Sequence, residues 1–191
     1  MTTLPITTRS NRTIMIAIVT LLSVGPMLGQ GKFYVQAFGA NKAKITGGSI
    51  TKGTEGDIVG YGYSHQVSNP VPATGAASAN TRSHKVITFT KGIDVSSPRF
   101  YTALNSAEVL DQVIFNFRGT TQFGADVLIY SVVLKGARVT DIQCAFGEAK
   151  SETTGFNIPA TNKDMEKISL TYQQIEWVWK DGNITSTDTW K

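Results

Sequence analysis

Beyond residue 32 the chain repeatedly alternates apolar and polar residues, and this period of two constrains its fold more than any other feature. Such a period puts alternate side chains on opposite faces of a strand, so each run predicts a strand with one buried face. The runs are FYVQAF at 33–38, IVGYGYSHQV at 58–67, KVITFTK at 85–91, QVIFNF at 112–117, stretches at 125–135 and 138–146, and KISLTYQQIEWVW at 167–179. Lys135-Gly136 separates the fourth run's two successors. Within 58–67, Tyr61, Tyr63 and His65 share one face, and Gly62 and Ser64 share the other.

One segment has a helical period. Ser97 reads as an N-cap, and Pro98 suits the first turn because its missing N–H would have no helical partner there. Phe100, Leu104 and Ala107 then recur at helical spacing and should face the core, while Asn105 and Ser106 weaken the end. Strands at short spacing with one capped helix predict a mainly β fold, a closed β-barrel or sandwich with one short α-helix at its side.

The connections differ in character. Residues 40–57 are polar, with GGS at 47–49 and KGTEG at 52–56, and lack an apolar repeat; loops of this length usually have a job. Residues 70–83 hold two prolines and many alanines and read as a flap that cannot pack a core. Residues 148–164 read as a polar loop, and 180–191 as a loose tail with Asp181-Gly182 as a turn.

A chain of 191 residues suits a single main domain, here 32–180, between a leader at 1–31 and the tail at 181–191. The single Cys144 excludes an intrachain disulfide and a cysteine-only zinc site; flanked by Ile142 and Phe146, it reads as a buried strand thiol. The net charge of +4 comes from scattered basic residues with no run that could track a phosphate backbone, so nucleic acid is an unsuitable partner. No catalytic constellation can be assembled. His65 and His84 are far apart and offer no metal-ligand spacing, and a packed, hydrogen-bonded role is expected for His65. The glycines at 47–56 lack the context of a phosphate loop. Asp57, Asp94 and Asp111 read as capping or turn residues. The sequence therefore predicts no enzyme, no metal and no cofactor.

The leader stands apart. It holds Arg9 and Arg12, no acidic residue, and an apolar stretch at 14–24 ended by Gly25-Pro26. That describes a secretory signal peptide, and the stretch is too short to span a membrane, which needs about 20 apolar residues. The competing reading is translation from Met27, just before the first strand.

Three phrases in fixed order carry a resemblance: YGYSHQVSNP at 61–70, FTKGIDVSSPRFYTAL at 89–104 and KISLTYQQIEWVW at 167–179. They are similar to those of the haemolysin-coregulated protein family, Hcp, the tube subunit of the type VI secretion system. The resemblance runs from about Phe33 to Trp179, and its middle phrase, with Asp94, Ser97 and Pro98 as the structural motif, is the most specific. It implies an Hcp-like barrel with an extended loop, closing head to tail into six-membered rings that stack into a hollow tube. A spike protein caps the tube, a contractile sheath expels it, and small effectors shelter in its lumen. Matched without gaps, the family's ring-stacking loop falls at 47–56, making Gly47, Gly48, Ser49, Lys52 and Glu55 the stacking candidates. Ser64, with Gly62, falls at the lumen face near cargo. The implied route is cytoplasmic assembly followed by secretion. The leader departs from the family pattern and leaves periplasmic export open. The alternative is a secreted β-sandwich module that binds carbohydrate or a surface, using Trp177 and Trp179, which share one strand face, as a stacking platform.

Overall fold

The alternation at 33–38 becomes β1 (Phe33–Phe38), in which Phe33, Val35 and Ala37 are buried and Tyr34, Gln36 and Phe38 half-buried. The structure is a computed structural model and describes residues 33–69, 82–121, 123–145 and 164–190. The leader, residues 70–81 of the expected flap and residues 148–163 of the expected polar loop lie outside the described residues. Along the chain follow β2 (Lys44–Ile45), β3 (Ile58–Ser64), β4 (Val67–Ser68), β5 (Ser83–His84), β6 (Ile87–Gly92), α1 (Ser97–Asn105), β7 (Leu110–Thr120), β8 (Asp126–Ala145), β9 (Met165–Thr171), β10 (Gln174–Trp179) and β11 (Ile184–Thr189).

Six of these strands close on themselves. β8 pairs β7, β7 pairs β1, β1 pairs β3, β3 pairs β6, β6 pairs β9, and β9 pairs back onto β8, all antiparallel. Closure removes the free edges of those strands. The hairpin of β10 and β11 is attached outside this ring, along residues 130–135 of β8. Phe33, Val35, Ile58, Ile87, Phe89, Val113, Phe115, Val132, Leu134, Ile168 and Leu170 form the core. Phe100 and Ala103 of α1 are buried too, Phe100 meeting Phe89 edge to face at 6.1 Å.

The structure changes several sequence-based expectations. The run at 58–67 is two strands, and the register slips between Gly60 and Gly62. This bulge breaks the expected grouping: Tyr63 packs among Phe33, Phe115 and Phe117, while Tyr61 stays outside the core cluster. The stretches at 125–135 and 138–146 are one 20-residue strand, β8. Gly136, at φ +61, is its corner: β8 pairs β10 up to Lys135 and β7 up to Ala137, and from Arg138 on it pairs β9. Conversely, 167–179 is two strands, parted at Tyr172-Gln173. The tail is no loose end, because β11 pairs with β10 along its whole length after the turn at Asp181–Asn183. The helix buries Ala103 where Ala107 was expected; Ala107 lies past the helix end, exposed at φ +52. Cys144 is exposed, near the end of β8, where a buried thiol was expected.

Gly60 shows how closely the barrel is packed. It sits directly across from Phe33, whose ring lies where a Cβ would be, 2.2 Å away. Gly60→Ala should therefore displace the Phe33 ring and cost about 1–3 kcal/mol. Chemical denaturation of the variant beside the unaltered protein measures this.

Candidate functional site

The motif Lys91, Asp94, Ser97, Pro98 builds a buried polar centre at the start of α1. Lys91 is the last inward-facing residue of β6 after Ile87 and Phe89, and it is fully buried. Its cross-strand partner in the ladder is Glu166 of β9, also fully buried. Lys91 Nζ lies 2.8 Å from Glu166 Oε1, 2.7 Å from Asp94 Oδ1, 3.0 Å from Ser97 Oγ and 2.9 Å from the Gly92 carbonyl oxygen. Three ammonium protons thus face four acceptors, so none lacks a partner. Ser97 Oγ donates to Glu166 and accepts from the Asp94 amide. Ser97 is therefore no N-cap. Ser96 holds the cap position without a side-chain cap bond, and Pro98 sits in the first turn as expected.

Asp94 carries the arrangement outward. Its carboxylate accepts from the Ser96 amide and hydroxyl, from Lys91, and through Oδ2 from the Gly48 amide at 2.9 Å. Burial alone would raise the Asp94 carboxyl, but hydrogen bonds from Lys91 and Ser96 outweigh it and hold it below the ordinary carboxylate range. Its folded value lies below its unfolded one, so its contribution to stability is present above about pH 4 and is lost as the pH falls further.

Gly48 belongs to the loop expected to serve stacking. That loop is a folded hairpin: the Gly47 amide donates to the Gly56 carbonyl at 2.9 Å, the Gly56 amide to Ser49 at 2.8 Å and the Ser49 amide to Asp57 at 3.0 Å. Its sequence hid two anchors. Ile45 is buried in β2, and Asp57 is buried where it receives Lys44 and the Gln36 amide. Among the stacking candidates, Gly48, Lys52 and Glu55 are exposed, while Gly47 and Ser49 are buried, with Ser49 Oγ 3.0 Å from Thr54 Oγ1. Sequence reasoning missed Ile50, which projects from the loop at 95% exposure, because one apolar residue in a polar run forms no periodic signal. Of the lumen candidates, Ser64 is exposed and Gly62 half-buried, both on the side of β3 away from the Tyr63 ring.

The structure also brings together residues the sequence kept apart. His65 and His84 both hydrogen-bond to the hydroxyl of Tyr172, each at 2.8 Å. Their ring centres are 6.4 Å apart. Trp177 stacks on His65 and packs against the core, so it does not form an open platform with Trp179. Among the described residues no group of three or more His, Cys, Asp or Glu could hold a metal ion, and no helix is long and apolar enough to cross a membrane.

A family model described as "Type VI secretion system effector, Hcp" matches residues 34–179. The "Major exported protein" of Pseudomonas aeruginosa PAO1 is 25% identical over an alignment of 167 residues that covers 83% of this chain and 94% of that protein. The solved Hcp1 protein of the E. coli EAEC 042 pathovar superposes at a TM-score of 0.71 with 26% identity, covering 83% of this chain and 98% of that one. The secreted protein Hcp3 from Pseudomonas aeruginosa shares the fold at a TM-score of 0.64 with 23% identity, over 84% and 99% of the two chains.

Lys91→Met should leave Glu166 as an unpaired buried charge and cost about 3–5 kcal/mol. Adding Glu166→Leu should recover most of that loss, because the charge left without a partner is then gone. Thermal melting of the two variants checks both expectations. Equal losses in both would mean that the ion pair is not what the site depends on.

Proposed function

The chain belongs to the Hcp family of the type VI secretion system, and from that membership we propose that it is a structural tube subunit that works by self-assembly. The match over residues 34–179 carries this reading, since it takes in the barrel, α1 and the polar centre together. In this proposal six copies close head to tail and the rings stack, with a spike protein, a contractile sheath and lumenal effectors as partners. Head-to-tail closure needs two different complementary patches on each copy. The flanks of β3 supply one and the region of β9 and β10 the other.

The loop at 47–56 suits a stacking contact for a physical reason. Its backbone is held by its own hydrogen bonds and by Asp94, so presenting Ile50, Lys52 and Glu55 requires little ordering. Ser64, exposed at the end of β3 two residues after Gly62, suits the lumen wall. The subunit assembles in the cytoplasm and is then exported, residues 32–180 being the assembling domain. Cleavage of a leader at 1–31 is read from the N-terminal mass of the native protein.

Purified protein should run as a discrete oligomer by light scattering and show annular particles in negative stain. The oligomer should survive moderate salt, because the low charge density makes ionic contacts a minor part of the interface. A monomer across a range of concentration and salt would overturn the reading. Ile50→Asp should leave the annuli intact and reduce their stacking into tubes; unchanged tube length would remove the loop from the contact. Ser64→Arg should also spare the annuli but lower effector retention, whereas failure to fold would place Ser64 in the core.

A further inference from the structure

At the end of the barrel where β3, β5, β9 and β11 meet, a chain of hydrogen bonds joins segments that no ladder joins. His65 follows β3 and is half-buried; His84 lies in β5 and is buried. Tyr172, in the link between β9 and β10, is 4% exposed and hydrogen-bonds to both, through His65 Nε2 and His84 Nδ1. The other nitrogen of His84, Nε2, lies 3.2 Å from Asp188 Oδ2 of β11. Arg82 grips the same carboxylate as a fork, Nη2 to Oδ1 at 2.9 Å and Nε to Oδ2 at 2.8 Å. Trp177 lies on His65 and Trp190 on His84, with ring centres 6.1 and 6.0 Å apart.

We propose that this chain is an acid-operated latch: with neutral imidazoles it fastens the β10–β11 hairpin to the β4–β5 pair, and uptake of two protons releases it. The proton positions follow from the partners. An ionised Asp188 only accepts, so His84 carries its proton on Nε2 and leaves Nδ1 bare. Tyr172 then donates to His84 Nδ1, and its oxygen accepts from His65 Nε2–H. Every proton has an acceptor. A first added proton is absorbed: the Tyr172 hydroxyl accepts from whichever imidazole is charged and donates to the one that stays neutral.

A second proton has no such solution. Both imidazoles would donate to one oxygen, and the Tyr172 hydroxyl proton would lose its acceptor in a buried site. Two cations would also face each other at 6.4 Å, beside Arg82. Among the described residues, the ionisable groups in reach are Arg82, His65, His84, Tyr172, Asp188 and, next to Tyr172, Tyr63; Trp177 and Trp190 have uncharged side chains. The one negative charge among these groups, Asp188, is already shared with Arg82. Burial and then the neighbouring His84 push the His65 imidazole below its ordinary range. Its folded value therefore lies below its unfolded one. The stability it contributes is full above about pH 6.5 and is lost as the pH falls from there.

Hydrogen–deuterium exchange on the purified protein tests the latch. Amides of β11 are compared with amides of β1 in the same molecules, at about pH 7.5 and about pH 5, corrected for intrinsic exchange. Protection of β11 relative to β1 should fall about tenfold in acid. His65→Gln keeps an N–H donor but gains no charge, so it should retain most of the β11 protection at the lower pH. Equal loosening of β11 and β1, or a His65→Gln protein that opens as far as the unaltered one, would overturn the proposal. If that variant does not fold, imidazole NMR of the unaltered protein decides. Two histidines titrating independently in the ordinary range, with β11 amide shifts unmoved, would overturn it, and coupled titration that moves those shifts would support it.

Discussion

The fold depends on one buried ammonium group. Lys91 faces inward on a strand whose other inward residues are Ile87 and Phe89, so the barrel interior ends in a charge. Desolvating it costs several kcal/mol, and the cost is offset only if its partners come from every direction at once. Glu166 comes across the β6–β9 ladder, Asp94 from the turn after β6, and Ser97 from the first turn of α1. β6, β9 and α1 are therefore held in mutual position by a single group. The cluster of one cation and two carboxylates keeps one excess negative charge at the start of α1, where the helix macrodipole favours it. This geometry explains why lysine, aspartate and serine stand in fixed spacing in the middle phrase.

The second constraint is closure. A six-stranded ring needs β8 to serve two sets of neighbours, and it does so by bending at Gly136, where a side chain would strike Gln173 within 2.6 Å. The Gln173 amide in turn donates to the Lys135 carbonyl, tying the β9–β10 link to the same corner. Closure disposes of the edges of six strands but leaves the β10–β11 hairpin outside the ring, and the hydrogen-bonded chain at His84 and Asp188 holds down that outer hairpin.

The same centre connects the core to the surface. Asp94 binds Lys91 on one side and the Gly48 amide on the other, so the loop bearing Ile50 takes its position from the interior. Self-assembly asks for rigid presentation of small patches, and a loop whose base is set by a half-buried carboxylate meets that demand.

The sequence by itself determined which residues face inward where a strand runs without a bulge, because a period of two is a local property: Phe33, Val35 and Ala37 alternate whatever the neighbours are. It also determined that a helix begins near Pro98, since that residue's fixed φ and missing N–H suit a first helical turn. Tertiary structure decided what depends on partners distant in sequence. A bulge at Tyr61 is set by how β3 meets β6, the union of two stretches into β8 by which strands lie beside it, and the docking of β11 by β10. The roles of Lys91 and Ser97 needed Glu166, 69 residues beyond Ser97, and the meeting of His65 with His84 needed Tyr172, 107 residues beyond His65. Such contacts leave no periodic trace, because what fixes them is the path of the backbone through space.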